Sequence, residues 1–221
     1  MLRSLLFGAG SALFAASLGA QTLPNQRPGD PLVPVRPATT PPGKDTTGYW
    51  QQEANYEIVA TLDEAIGGVR ATGVLQYINH SPDTLRELWL HQHLNAFRPG
   101  SRWSAVDEKE GRTRFQRLAD PDYAYERFVS APSVSMRGLR LPTTVRPEYP
   151  LAPDSTVVRL ALPSPLLPGD TVKVGMRWTA RPSTLARRQG RRGRSFDFAQ
   201  WYPRVAVYDR DGWKPNATVP A

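Results

Sequence analysis

Two histidines separated by a single glutamine, His91-Gln92-His93, are the first residues of this chain whose type and spacing could do chemistry. On a strand, side chains two positions apart face the same side, so both imidazoles could reach one zinc ion. A third ligand would have to come from His80 or a carboxylate, and no local spacing selects one. Ordinary strand histidines explain the same letters, and a lone pair of this kind defines no metal site. The three histidines are followed by Ser, Gln and Leu, so none begins an HExxH helix. Nucleophile elbows and phosphate loops are absent, and the lack of cysteine removes thiolate ligands and nucleophiles. The expectation is a chain with no catalytic residues and no bound metal of its own.

Arg187 to Arg194, "RRQGRRGR", place five arginines in eight positions, a composition able to grip phosphates. No aromatic is interleaved for base stacking, so the reading is a solvated hairpin loop and no nucleic-acid partner. Directly after it, "FDFAQWYPRVAVYDRDGW" (196–213) carries six aromatic side chains in eighteen positions. That is more apolar area than one face of a strand needs. The segment is expected to be a strand buried on both faces, or one packed against something beyond the domain.

The elements that must position these groups show period two. In "EANYEIVATLD" Tyr56, Ile58, Ala60 and Leu62 share one face, and in "GVRATGVLQYIN" Val69, Ala71, Leu75 and Tyr77 do the same. Gly67-Gly68 between them predicts an antiparallel hairpin. "LRELWLHQHLNAF" enters after the turn formers "NHSPD". "STVVRLALP" and "DTVKVGMRWTA" follow, the latter with Val172, Val174, Met176 and Trp178 on one face and "LPGD" turning the chain before it. From about Arg98 to Pro132 the alternation lapses into a decorated insertion, with a short helix expected near Arg112–Leu118. The fold class is all-β, an antiparallel sandwich in one domain.

Composition agrees with one basic, turn-rich globular domain: 28 Lys+Arg against 20 Asp+Glu give +8, with 22 prolines and 17 glycines in 221 residues. Residues 1–20 read as a signal peptide. Arg3 precedes an apolar run from Leu5 to Ala16, and small residues follow at Ser17, Gly19 and Ala20. The run is shorter than the roughly 20 residues of a membrane span, so export to the periplasm or the cell exterior is expected, with no membrane span after signal removal. Residues 21–48 hold seven prolines between positions 24 and 42 and read as an extended linker. The folded domain occupies 49–221.

Taken together, "YEIVATLDEAIGGVRATGVLQYINHSPDTLRELWLHQHLNAF", "LALPSPLLPGDTVKVGMRW" and "FDFAQWYPRVAVYDRDGW" resemble the N-terminal β-domain of the aminopeptidase-N-like (gluzincin) zinc metallopeptidases. The resemblance spans Tyr49 to about Trp213. It implies a saddle-like β-sandwich that continues past Ala221 and leads to a catalytic domain absent from this chain. That domain would carry HExxH and zinc, with a peptide as substrate. It also implies that Gln200, in "FAQWYP", binds the substrate's α-amino group. An amide oxygen is an uncharged acceptor suited to an ammonium donor; a role in satisfying neighbouring backbone accounts for a glutamine there equally well. The reading from a different class is a free-standing secreted module that binds a glycan or a protein through its aromatic and arginine-rich loops.

Overall fold

The structure, a computed structural model, describes residues 48–185 and 188–219. The expected signal peptide and nearly all of the proline-rich linker lie outside the described residues. In chain order the strands are β1 (Glu53–Asp63), β2 (Gly68–Ile78), β3 (Leu85–His91), β4 (Tyr125–Phe128), β5 (Ser133–Met136), β6 (Thr143–Thr144) and β7 (Val157–Leu166). They continue with β8 (Thr171–Arg181), β9 (Gly190–Arg192), β10 (Ser195–Asp197), β11 (Arg204–Val205), β12 (Tyr208–Asp209) and β13 (Gly212–Trp213). A 3-10 turn covers His93–Ala96 and one helix, α1, covers Arg102–Lys109.

The predicted hairpin forms with Asp63 opposite Gly68, and β8 pairs antiparallel along the other edge of β2. Beyond β8 lie β4 and, farther along its length, β5 with β6. A smaller sheet has the order β11-β3-β7. Every residue of the two predicted apolar rows, Val69, Ala71, Leu75 and Tyr77 with Val172, Val174, Met176 and Trp178, is buried. They meet Leu85, Leu88 and Leu90 of β3 and Val158, Leu160 and Leu166 of β7 in one core. Burying each such side chain contributes about 1.5–3 kcal/mol, which makes this interface the main stabilising term. The architecture is an antiparallel all-β sandwich. Tyr56 and Ile58 of β1 pack on the core, whereas Ala60 and Leu62, on the same face, run past its margin and are exposed.

The helix lies earlier than the sequence suggested. Ser101 caps it, its hydroxyl accepting from the Ser104 amide at 3.0 Å, and Gly111 at φ +69° follows its end, where only glycine adopts that backbone without cost. Residues 112–118, where the helix was expected, form bends instead, and Arg112 and Arg114 both reach back to Asp107 of α1.

The chain changes sheet twice at one corner, from β2 to β3 and from β7 to β8, and Asn79 touches both crossings. Its amide nitrogen donates to the Asp83 carbonyl (2.7 Å) and the Leu166 carbonyl (3.2 Å). Its side-chain oxygen accepts from the Ser81 amide (3.1 Å), the Ser81 hydroxyl (2.6 Å) and Gln52 (3.2 Å). Its backbone exchanges hydrogen bonds with Gly169 and Asp170 in the turn before β8. Asn79→Ala should lower unfolding free energy by about 3 kcal/mol, because buried partners are left unsatisfied. Gln52→Ala, which removes the half-exposed bond to Asn79 and an exposed bond from the His80 amide at 2.8 Å, should cost no more than about 1 kcal/mol, since water can replace both partners. Urea unfolding of the two variants checks the difference.

Candidate functional site

The aromatic segment is not the strand buried on both faces that its composition pointed to. It divides into β10, an irregular turn at 198–203, β11, and the small β12–β13 ribbon; Phe198, Trp201, Tyr202, Tyr208 and Trp213 are half-buried against the core, and Phe196 stacks on Phe198. Pro203 offers no amide to a ladder, and Gln200 stands at φ +53°, the one non-glycine residue with positive φ among those described. A left-handed backbone costs an ordinary L-residue about 1–2 kcal/mol, so neighbouring contacts must hold it.

Those contacts come from two side chains of the larger sheet, the buried Trp178 and the half-buried Tyr56. The Trp178 indole N–H donates to the Trp201 carbonyl at 3.1 Å, and its ring lies 6.1 Å from that of Trp201. The Val205 amide donates to the Tyr56 hydroxyl at 2.7 Å, and Tyr56 packs edge-on against Tyr202 at 5.1 Å. Burial pushes the Tyr56 phenol far above its ordinary value, so it remains a neutral acceptor. Phe198 and Tyr202 each meet Trp201 in edge contacts. The Gln200 side chain is exposed, and among the described residues it makes no hydrogen bond. The backbone of the turn is therefore held at Trp201 and Val205, and the Gln200 amide projects from it into solvent.

Farther along, β11 joins β3 by only two residue pairs, Arg204 with His91 and Val205 with Leu90, extended by the Ala206 amide bonding the Trp89 carbonyl at 2.7 Å. The paired histidines meet here, but as a stack: ring centroids lie 4.8 Å apart with planes at 15°. In-plane lone pairs of parallel stacked rings do not converge on one ion, and His93 Nδ1 is engaged with the Thr218 hydroxyl at 2.8 Å. Burial lowers the pKa of His91 and takes His93 to about 4, each assisted by Arg204, so both are neutral at pH 7. Among the described residues no group of three potential ligands surrounds a metal position, and no helix is long and apolar enough to cross a membrane.

A polar cluster that the sequence did not disclose lies beneath the 3-10 turn. Asn95 donates to the carbonyls of Glu126 (2.8 Å) and Ser155 (2.9 Å) and accepts from the Glu126 amide (2.8 Å). The Gln92 side-chain oxygen receives the Tyr149 hydroxyl at 3.2 Å. The Glu126 carboxyl is fully buried with no well-formed hydrogen bond among the described residues, and the Gln92 amide nitrogen has no partner among them either. Burial raises the Glu126 pKa well above the ordinary carboxyl range, opposed only by the nearby Leu94 amide, so it is held as a neutral acid. The signal was present in "YERF": as a strand it puts Glu126 on the same face as Phe128, a carboxyl on a core-facing side.

The arginine-rich loop is partly the predicted hairpin. β9 pairs with β10 around Gly193; Arg194 reaches Glu64 at 3.1 Å, and Arg191 is tied to the Pro121 carbonyl at 2.6 Å. Arg187 lies outside the described residues. No protein-family model matches the chain, and no curated protein matches it significantly.

Two outcomes follow from this geometry. Gln200→Gly removes the left-handed penalty at the cost of backbone entropy and should raise unfolding free energy by up to about 1 kcal/mol, read by urea denaturation. For Glu126, the folded pKa is raised, so the native state holds a proton the unfolded chain has lost. Stability from this group is complete below pH 4.5 and falls as pH rises toward the folded pKa, by up to about 1.4 kcal/mol per pH unit. His91 and His93, with lowered pKa values, act oppositely below pH 6.5, where the unfolded chain binds the extra protons. Above pH 6.5 the histidine contribution fades, the remaining fall of stability with rising pH is that of Glu126, and Glu126→Gln should flatten it.

Proposed function

We propose that the domain beginning at Tyr49 serves as the N-terminal β-domain of an exported zinc aminopeptidase-like protein, and that Gln200 receives the free amino terminus of a peptide substrate. The resemblance of the three quoted segments supports the family reading, and the antiparallel sandwich is the fold that the resemblance implies. One observation carries the assignment of Gln200: an exposed amide on a strained turn, buttressed by Trp178 and Tyr56, without a hydrogen bond to other described residues. Strain maintained by surrounding contacts at an otherwise idle side chain points to a role in recognition.

In this reading the domain does not perform the chemistry. Zinc belongs to a catalytic domain outside this chain, where it would polarise the scissile carbonyl. His91 and His93 do not fit that ion and take no part. Gln200 contributes orientation. Its side-chain oxygen accepts a hydrogen bond from the substrate ammonium, which fixes the first residue without the tight hold of a carboxylate, so that product can leave. Trp178 fixes the carbonyl of Trp201, the residue after Gln200, and Tyr56 fixes the Val205 amide, five residues past Gln200.

The test uses the protein as its gene encodes it. It should contain stoichiometric zinc and cleave aminoacyl arylamides. Gln200→Ala should lower the kcat/KM ratio of free over N-acetylated substrate by about 10- to 100-fold, corresponding to about 1.5–3 kcal/mol for a hydrogen bond to a charged group. An unchanged ratio in an active enzyme would remove Gln200 from substrate binding. A protein with neither zinc nor peptidase activity would overturn the family reading itself.

A further inference from the structure

The outward face of the larger sheet carries two adjacent cross-strand rows that no part of the peptidase reading uses. The first runs Thr61, Arg70, Thr179, Arg127 across β1, β2, β8 and β4. The second runs Val59, Thr72, Arg177, and ends at Val129, whose amide donates to the Arg177 carbonyl at 2.8 Å. Strand spacing sets Arg70 and Arg127 about 10 Å apart, with Arg177 in the neighbouring row between them. A groove of about 210 Å³ opens over this array, lined by both valines, the three threonines, Arg70 and Arg177, with Arg127 beyond its rim.

The charge balance of the face is one-sided. Arg177 and Arg127 have no carboxylate partner among the described residues, and Arg127 lies instead over the Tyr125 ring at 4.3 Å. The nearby carboxylates are marginal. Asp63 takes Arg70 at 2.6 Å in a solvent-exposed pair, an arrangement worth at most about 1 kcal/mol, and Glu57 stands two residues past Val59. Two guanidinium groups thus face solvent, with the exposed hydroxyls of Thr61 and Thr72 on the neighbouring strands, a combination that matches the bidentate oxygen pairs and remaining acceptors of a tetrahedral oxyanion.

We propose that this face binds an acidic polysaccharide through its sulfate or phosphate esters. The groove is smaller than the roughly 300 Å³ at which pockets begin to enclose a whole small ligand, so it admits one charged group while the carrier lies across the open sheet. The valines at both ends offer apolar contact to the sugar, and the exposed Thr61 and Thr72 offer hydrogen bonds to its hydroxyls. Nucleic acid is disfavoured because the face presents no open ring for base stacking: Tyr125 and Trp178 are 5% and 1% exposed.

The experiment titrates the full chain with sulfated dextran oligosaccharides, phosphorylated mannan oligosaccharides and neutral dextran, at 50 and 200 mM salt. Either acidic glycan should bind, more weakly at high salt, and neutral dextran should not; comparison of the first two identifies which ester is preferred. The double variant Arg127→Gln/Arg177→Gln should lose at least tenfold in affinity at unchanged thermal stability, and Arg188→Gln/Arg192→Gln/Arg194→Gln, in the basic loop, should lose little. In the unaltered protein the amides of Thr72, Thr179 and Val129 should shift on titration, an observation independent of any variant. Shifts confined to 188–194, loss of binding only in the loop variant, or absence of binding to both acidic glycans would overturn the proposal. Equal affinity for a single-stranded DNA oligomer would replace the glycan with a generic phosphate backbone.

Discussion

The two apolar rows that form the core face each other only because the chain changes sheet twice at the same corner, and Asn79 is where those crossings are fastened. A single buried side chain holds the end of β7, the loop into β3 and, through its backbone, the turn into β8. Sandwich sheets gain their burial from alignment, and a one-residue slip would send every inward side chain outward. The register of β8 against β2 also places Trp178, and Trp178 in turn fixes the Trp201 carbonyl. The corner and the exposed Gln200 turn are thus joined by one strand.

Much of this was legible in the sequence wherever one periodicity ruled. β2 and the first two thirds of β8 alternate because each has one face on the core, and their inward residues are those the pattern named; at Trp178–Arg181, where β4 covers the strand, all four residues are buried. The insertion between Arg98 and Pro132 was opaque because its elements are short: an eight-residue helix defined by a serine cap and a terminal glycine, and four residues of β4 carrying a buried carboxyl. The aromatic segment misled for another reason. Aromatic density reported contact area correctly, but the area is distributed over half-buried rings on a bent path, broken by Pro203 and the left-handed Gln200, and composition carries no information about path. The histidine pair was read as sharing a side and it does, yet the chain leaves the strand at Gln92 and the rings stack rather than converge.

Depth alone does not decide charge in this domain. Glu126, His91 and His93, which have no opposite charge beside them, are held neutral by burial, whereas Asp107, whose side chain is fully buried, keeps its charge because Arg112 and Arg114 pair with it. An enclosed ionisable group is here either neutral or paired.

The eleven-residue strand β1 forms an outer edge of the larger sheet, with no neighbour on its far side among the described residues. A long open edge invites a second copy to add itself, the first step of fibre growth. The acidic residues of β1 argue against that partner. An antiparallel self-pairing centred on Ile58 would set Glu53 opposite Asp63 at both ends of the ribbon, and like charges directly opposite destabilise a strand pair. Arg70 offsets part of that repulsion by pairing with Asp63, so the charge pattern disfavours this register of self-pairing and leaves the edge better suited to a strand with basic residues at its ends.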